Sequence, residues 1–74
     1  MTQPHHIDRL NAILTKIDRI STWLELRGMA EPVDQFLTII NNKFFNGELT
    51  NIQVSGYLDM IEPKVEAARQ RILN

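Results

Sequence analysis

Two adjacent histidines near the N-terminus are the residues of this sequence best suited to chemistry. His5 and His6 lie within three residues of Asp8, and imidazole and carboxylate groups are both common metal ligands. They stand in or beside residues 1–5, which we predict to be a flexible tail because they precede the first helical pattern. A flexible tail would bind a metal only weakly unless a second chain completed the site. We therefore expect no metal site.

Nucleophilic catalysis needs a nucleophile, a base and a group that orients the base. The sequence has no cysteine, so the nucleophile would have to be Ser21, Ser55 or a threonine. The only histidines stand at the predicted tail, which cannot hold a base in a productive geometry. We expect no enzymatic activity, no catalytic residue and no cofactor.

Residues 42–53 superficially follow the pattern of a calcium-binding loop. Asn46 and Gly47 occupy its fifth and sixth positions, where a ligand and a turn-forming glycine are required. However, Phe44 stands at the third position and Gln53 at the twelfth, and no carboxylate occupies a position that ligates through its side chain. We interpret the segment as a turn.

Apolar residues recur every three or four positions along most of the chain, which is the spacing of a helical face. The pattern predicts three helices, at residues 6–27, 32–45 and 51–73. Gly28 would end the first helix, because glycine readily adopts the left-handed conformation that follows many helices. Pro32 would begin the second, because proline suits the first helical position. No segment alternates like a strand, so the predicted class is all-α.

The third helix has the clearest start. Thr50 and Gln53 have the spacing of a capping box, and Leu49 and Val54 have that of a hydrophobic staple. The apolar seam that follows stays in phase through Pro63, which favours one helix with a kink at the proline. Two helices that abut at Pro63 are the alternative, because a proline inside a helix removes a hydrogen bond.

The connections between the predicted helices are short, which favours antiparallel neighbours. We therefore expect a three-helix antiparallel bundle in a single domain, residues 6–74. The chain has only 74 residues, and a domain near this size buries about 60% of its surface, which is marginal for a monomer. Because disulfides are excluded, homo-oligomerisation is the remaining way to add stability to so small a domain. A symmetric dimer is the commonest form of it.

Several large apolar side chains fall outside the three helical stripes. If they were exposed to solvent, they would form patches that monomers normally avoid. On the second and third helices we assign these residues to self-association: Ile39, Phe45, Ile52 and Met60.

The outer face of the first predicted helix combines cations with an aromatic residue, a composition that is enriched in binding hot spots. We assign this face to a protein partner through Arg9, Lys16, Arg19, Trp23, Leu26 and Arg27. Trp23 lies four residues from Arg19 and from Arg27, so either guanidinium could stack on the indole. Alternatively, Trp23 folds onto Met29 as a core plug at the first connection.

The distribution of charge argues against recognition of DNA by a helix-turn-helix. Residues 28–62 contain one basic residue, Lys43, against five acidic ones, so their net charge is −4. A DNA duplex would repel such a segment. The two ends are positive, +1 over residues 1–27 and +2 over residues 63–74. A nucleic-acid-associated regulator that binds through its basic ends is therefore the alternative function.

No apolar run is long enough to span a membrane, and the N-terminal residues lack the pattern of a signal peptide. We therefore expect a cytoplasmic protein without membrane contact. By elimination, the sequence favours a non-enzymatic protein-protein interaction module. We expect it to self-associate and to regulate, inhibit or adapt a protein partner.

Overall fold

The computed structural model describes residues 5–74, and over this range the protein is all-α, as predicted. Three long helices and one short helix follow each other along the chain: α1 His5–Asp18, α2 Trp23–Gly28, α3 Ala30–Phe45 and α4 Asn51–Leu73. The tail predicted for residues 1–5 lies outside the described residues, except for His5, which begins α1.

The single helix predicted for residues 6–27 is wrong, because the chain leaves the helix after Asp18 and starts a new one at Trp23. Thr22 caps this second helix. Its backbone is extended, and its Oγ1 accepts a hydrogen bond from the Glu25 N–H at 3.2 Å. The Glu25 carboxylate in turn accepts from the Thr22 hydroxyl at 3.0 Å. A capping threonine satisfies a free N–H of the first turn, so the Thr22 to Glu25 pair restarts the helix.

The end of α1 is stabilised from a distant part of the chain. The Arg71 Nη2 donates to the carbonyl oxygens of Ile17 at 2.7 Å and Ile20 at 3.0 Å, and its Nε donates to Ile20 at 3.2 Å. The last carbonyls of a helix have no partner within the helix, and charged donors make the strongest hydrogen bonds to them. The first helix therefore stops where α4 supplies a guanidinium.

The connection between α2 and α3 differs from the prediction. Gly28 is helical and does not adopt a left-handed conformation; among the described glycines only Gly47 has a positive φ, of 80°. Met29 keeps helical angles, and α3 begins at Ala30, two residues before the predicted start. Pro32 is tolerated in the first turn because its missing N–H would have no helical partner there.

The predicted start and length of α4 are confirmed. The Thr50 N–H donates to the Gln53 side-chain oxygen at 2.8 Å, and the Gln53 N–H donates to the Thr50 hydroxyl at 3.2 Å. Both halves of the capping box are therefore formed. The helix continues through Pro63, so the alternative of two abutting helices is wrong.

α1 contacts both α3 and α4, and the three long helices share one apolar core. Its buried members are Leu10, Ile13, Ile17, Ile20, Met29, Phe36, Ile40, Leu49, Ile61 and Ala68. Contacts between α1 and α4 rise together in residue number: His6 meets Tyr57, and Ile17 meets Arg71. These two helices therefore run in the same direction.

Candidate interaction surfaces

A groove lies between α1 and α3. Its lining comes from α1, the chain that follows it, α2 and α3, and in the described residues α4 contributes nothing to it. We call it the α1–α3 groove. It is lined by Arg9, Ala12, Ile13, Lys16, Arg19, Ile20, Glu25, Gly28, Met29, Pro32, Gln35, Thr38 and Ile39.

One edge of this groove is basic. Arg9 and Lys16 are seven residues apart on α1, which places their backbones about 10.5 Å apart along the same side of the helix. Arg19 follows just beyond the end of α1 and extends the edge towards α2. All three side chains are exposed, and none of them forms an ion pair within residues 5–74.

Most other cations of the described chain are engaged. Lys43 pairs with Glu48 at 3.6 Å, and Lys64 pairs with Asp18 at 3.0 Å. Farther along α4, Arg69 pairs with Glu66, and Arg71 binds the carbonyl oxygens at the end of α1. The unpaired positive charge is therefore concentrated at the groove edge. In the described chain, Arg27 is the one other Lys or Arg side chain without an ion pair or a hydrogen bond.

The side chains of the opposite wall are uncharged, and the Glu31 carboxylate beside them accepts a hydrogen bond from the Gln35 amide at 3.4 Å. This wall consists of Pro32, Gln35, Thr38 and Ile39 from α3. The acidic Glu25 lies at the α2 end of the groove, where its carboxylate accepts hydrogen bonds from the backbone and hydroxyl of Ser21 and from the hydroxyl of Thr22. These bonds, led by the backbone N–H of Ser21, lower the pKa of Glu25 below its ordinary value. That carboxylate is used to cap α2 and does not neutralise the cations.

The structure divides the predicted partner-binding set. Arg9, Lys16 and Arg19 line the groove, as described above, whereas Trp23 and Arg27 do not. Helical geometry places Trp23 and Arg27 about 100° or more around α2 from Glu25 and Gly28, so they occupy a different face. The sixth member of the set, Leu26, packs against the core.

Trp23 is 51% exposed and is not among the residues packed on the core. The aromatic contacts in the described chain do not include it, so the expected guanidinium stacking is not formed. Its neighbour Leu24 is 79% exposed. The new helix start at Thr22 sets which side chains of α2 face the core. Leu26 therefore packs against the core, and Leu24 faces solvent.

The predicted self-association residues do not form one surface. Ile39 is half-buried and lines the α1–α3 groove beside Arg9. Phe45 and Ile52 are 76% and 84% exposed and flank the connection between α3 and α4, whereas Met60 is exposed eight residues farther along α4. The role of these residues in self-association stays a prediction.

His6 is the polar residue that sequence reasoning misplaced. It is only 6% exposed, and its Nε2 lies 3.2 Å from the hydroxyl oxygen of Tyr57. The two rings meet edge to face with centroids 5.5 Å apart, and Tyr57 meets Phe36 in the same way. Its spacing from Leu10 and Ile13, four and seven residues, puts His6 on the buried face of α1. That spacing was visible in the sequence.

The environment of His6 favours the neutral imidazole. Burial lowers the pKa of His6, the positive charge of Lys43 lowers it further, and Glu48 acts in the opposite direction. Its Nδ1 is buried without a hydrogen-bond partner in the described chain. A protonated ring carries an N–H donor at both nitrogens, so this buried atom would be a donor without an acceptor.

No group of three or more histidine, aspartate or glutamate side chains within residues 5–74 converges to hold a metal. None of the helices described is both long enough and apolar enough to cross a membrane. The sequence matches no protein-family model, and neither a curated protein nor a solved structure is detectably similar to it.

Proposed function

We propose that this protein is a non-enzymatic interaction module of the cytoplasm that self-associates and regulates, inhibits or adapts a protein partner. One observation carries the proposal: within the described residues, seven large hydrophobic side chains are exposed. They are Trp23, Leu24, Phe44, Phe45, Ile52, Met60 and Leu73. Exposed apolar patches of this kind are typical of interaction sites, because monomers that lack partners avoid them.

Most of the exposed apolar residues lie towards the two ends of an elongated molecule, which extends 42 Å along its longest axis, and Met60 lies between them on α4. Phe44, Phe45 and Ile52 flank the connection between α3 and α4. We assign this end to self-association, in which two three-helix antiparallel bundles complete each other as a homodimer. A dimer would add buried area to a core that has only ten buried hydrophobic residues in the described chain.

The other end carries Trp23 and Leu24 on α2. Trp23 shares its face with the cationic Arg27, four residues along the helix. Because tryptophan and arginine are the residue types most enriched in binding hot spots, we assign this face to a protein partner. The two assignments use opposite ends, so self-association and partner binding can occur together.

Light scattering coupled to size-exclusion chromatography tests self-association. We expect a mass of at least twice 8.6 kDa at micromolar concentration. Combining Phe45→Ser with Ile52→Ser should return the protein to a monomer, whereas Leu73→Ser, at an exposed position near the other end, should leave the mass unchanged. A wild-type monomer across the accessible concentration range would contradict the proposal.

The binding of a protein partner is tested by capture from a lysate of the native host on the immobilised full chain. We expect Trp23→Ala to lose the captured protein, and Ile52→Ser, at the self-association end, to retain it. Equal capture by wild type and Trp23→Ala would contradict the assignment of this face.

The alternative is a nucleic-acid-associated regulator, which is favoured by the unpaired charges of Arg9, Lys16 and Arg19. The C-terminal basic segment supports it less, because Lys64 and Arg69 are in ion pairs and Arg71 binds backbone carbonyls. Binding of a labelled oligonucleotide that weakens steeply with salt would favour this alternative.

A further inference from the structure

We propose that the α1–α3 groove binds an acidic amphipathic helix of a partner protein. This inference rests on the proposed function and adds to it the surface that is used and the chemistry of the partner. The groove is distinct from the Trp23 face and from the connection between α3 and α4.

The charges of the groove require a partner from outside the described chain. Arg9, Lys16 and Arg19 line one edge, and no carboxylate of residues 5–74 pairs with them. Cations elsewhere find local partners, as the Lys64 to Asp18 pair shows at 3.0 Å. A series of unpaired cations on one edge of a groove complements an anionic ligand, because complementary potentials steer association and fix its register.

The floor of the groove calls for apolar contacts as well as charge. Ile13 and Ile20 are buried beneath it, and Pro32 and Ile39 on the opposite wall are half-buried. A ligand that offered only charged groups would leave these apolar side chains exposed to water. An amphipathic helix satisfies both requirements, because one of its faces can carry acidic residues flanked by apolar anchors.

The spacing of the cations specifies a pattern for this helix. The backbones of Arg9 and Lys16 are about 10.5 Å apart along α1, the length of seven helical residues. Two acidic residues seven positions apart on a partner helix would therefore face them together. Apolar residues three and four positions after the first acidic residue lie on the same face and would reach the floor.

A second copy of this chain does not fit the groove within a symmetric dimer. Its own unpaired acidic residues include Asp59 and Glu62, which are exposed on α4. α4 packs against α1 and α3 and lines no part of the groove. A contact between the α4 acids and the groove of another copy would therefore join unlike surfaces, which gives rings or open chains instead of a symmetric dimer.

A single-stranded nucleic acid fits less well than an acidic helix. Binding of single strands combines cations with aromatic platforms on which the bases stack. No aromatic side chain lines the groove, and Trp23 lies on a different face of α2.

The test uses a synthetic amidated helical peptide with the pattern Glu-x-x-Leu-Leu-x-x-Glu in an alanine-rich background. A control peptide carries glutamine in place of both glutamates. Each peptide is titrated into the full-length protein labelled with ¹⁵N, and amide chemical shifts report the place and the affinity of binding. We expect the acidic peptide to shift the amides of the groove residues and the glutamine peptide to bind about tenfold more weakly.

Matched variants of the protein locate the interaction. Arg9→Gln combined with Lys16→Gln should weaken binding of the acidic peptide about tenfold, because two charge pairs are lost. Arg69→Gln combined with Lys64→Gln removes the same charge from α4 and should leave the affinity unchanged. Amide spectra of the free variants verify that both remain folded.

Three results would overturn the proposal: equal affinity for the two peptides, shifts that fall outside the groove, or tighter binding of an oligothymidine to the same residues. None of these results would contradict the proposed function, because self-association and partner capture through Trp23 use other surfaces. Conversely, a monomer that captures no partner in the lysate would refute the function, whatever the peptide does.

Discussion

His6 and Tyr57 join the start of α1 to α4 through one polar contact inside an aromatic cluster. The Nε2 of His6 lies 3.2 Å from the Tyr57 hydroxyl oxygen, and the two rings meet edge to face at 5.5 Å between centroids. The remaining ring nitrogen, Nδ1, is buried without a partner in residues 5–74. Protonation would leave a donor N–H at this buried nitrogen without an acceptor, so the packed ring favours the neutral imidazole.

The first prediction is that stability falls under mild acid because of His6. Its folded pKa is lowered, chiefly by burial and then by Lys43, from an ordinary value of 6.5. The neutral ring therefore stabilises the fold fully above pH 6.5 and progressively less as the pH falls through the lowered folded pKa, because the unfolded chain takes up the proton first. Urea unfolding at about pH 7.5 and about pH 5.5 measures the loss.

His6→Gln is the matched control for this titration. It should lower the unfolding free energy at neutral pH and remove most of the change between the two pH values. A wild-type stability that does not change over this window, or a variant that is as sensitive to acid as the wild type, would refute the assignment to His6.

The second prediction concerns Arg71. Its replacement by methionine leaves the carbonyl oxygens of Ile17 and Ile20 without their guanidinium donor. We expect a loss of about 1.5 to 3 kcal/mol in unfolding free energy, the range for hydrogen bonds to charged groups. Arg69→Met, which breaks only an exposed ion pair with Glu66, should cost less than about 1 kcal/mol. Equal effects of the two variants in chemical denaturation would contradict this reading.

The third prediction separates three neighbours on α2. Leu26→Ala should lower the unfolding free energy by about 1 to 2 kcal/mol, because Leu26 packs on the core. Leu24→Ala should change it by less than about 0.5 kcal/mol, because that side chain is 79% exposed. Trp23→Ala should lower the unfolding free energy less than Leu26→Ala does. Thermal melting of the three variants measures these losses. A larger loss for Leu24→Ala than for Leu26→Ala would contradict the break between α1 and α2.

The fourth prediction is that the two threonine caps act alike. Thr50→Ala and Thr22→Ala each remove a hydroxyl that accepts a hydrogen bond at 3.2 Å from the backbone three residues on. Each should cost about 1 kcal/mol in unfolding free energy, and the corresponding serine variants should recover most of it. The exposed Ser55→Ala serves as the reference. A cap variant no less stable than this reference would show that the cap contributes nothing.

Local signals allowed α4 and most of α3 to be predicted. Thr50 and Gln53 start α4 through their own hydrogen bonds, and the apolar seam through Pro63 needs no knowledge of the rest of the chain. Thr22 and Glu25 carry a comparable signal, but the apolar pattern from Ile20 to Leu24 obscured it. The prediction of one helix over residues 6–27 failed at this point.

Two other features depend on distant residues and could not be read from the local sequence. At the end of α1, the carbonyl oxygens of Ile17 and Ile20 accept hydrogen bonds from Arg71, which lies more than fifty residues later in the chain. The groove exists because α1 and α3 pack together, which brings Ile39 beside Arg9 although the sequence suggested different roles for them. The cations of the groove could be selected by residue type, but their separation from Trp23 required the break between α1 and α2.

The bonds from Arg71 to the end of α1 also bear on the order of events during protein synthesis. Translation delivers Ile17 and Ile20 well before Arg71, at about 5 to 20 residues per second, so the boundary of α1 lacks its donor for several seconds. Until then, residues 5–28 are free to sample the continuous helix that their apolar pattern favours. The nascent chain therefore lacks these hydrogen bonds until the last turn of α4 has been synthesised.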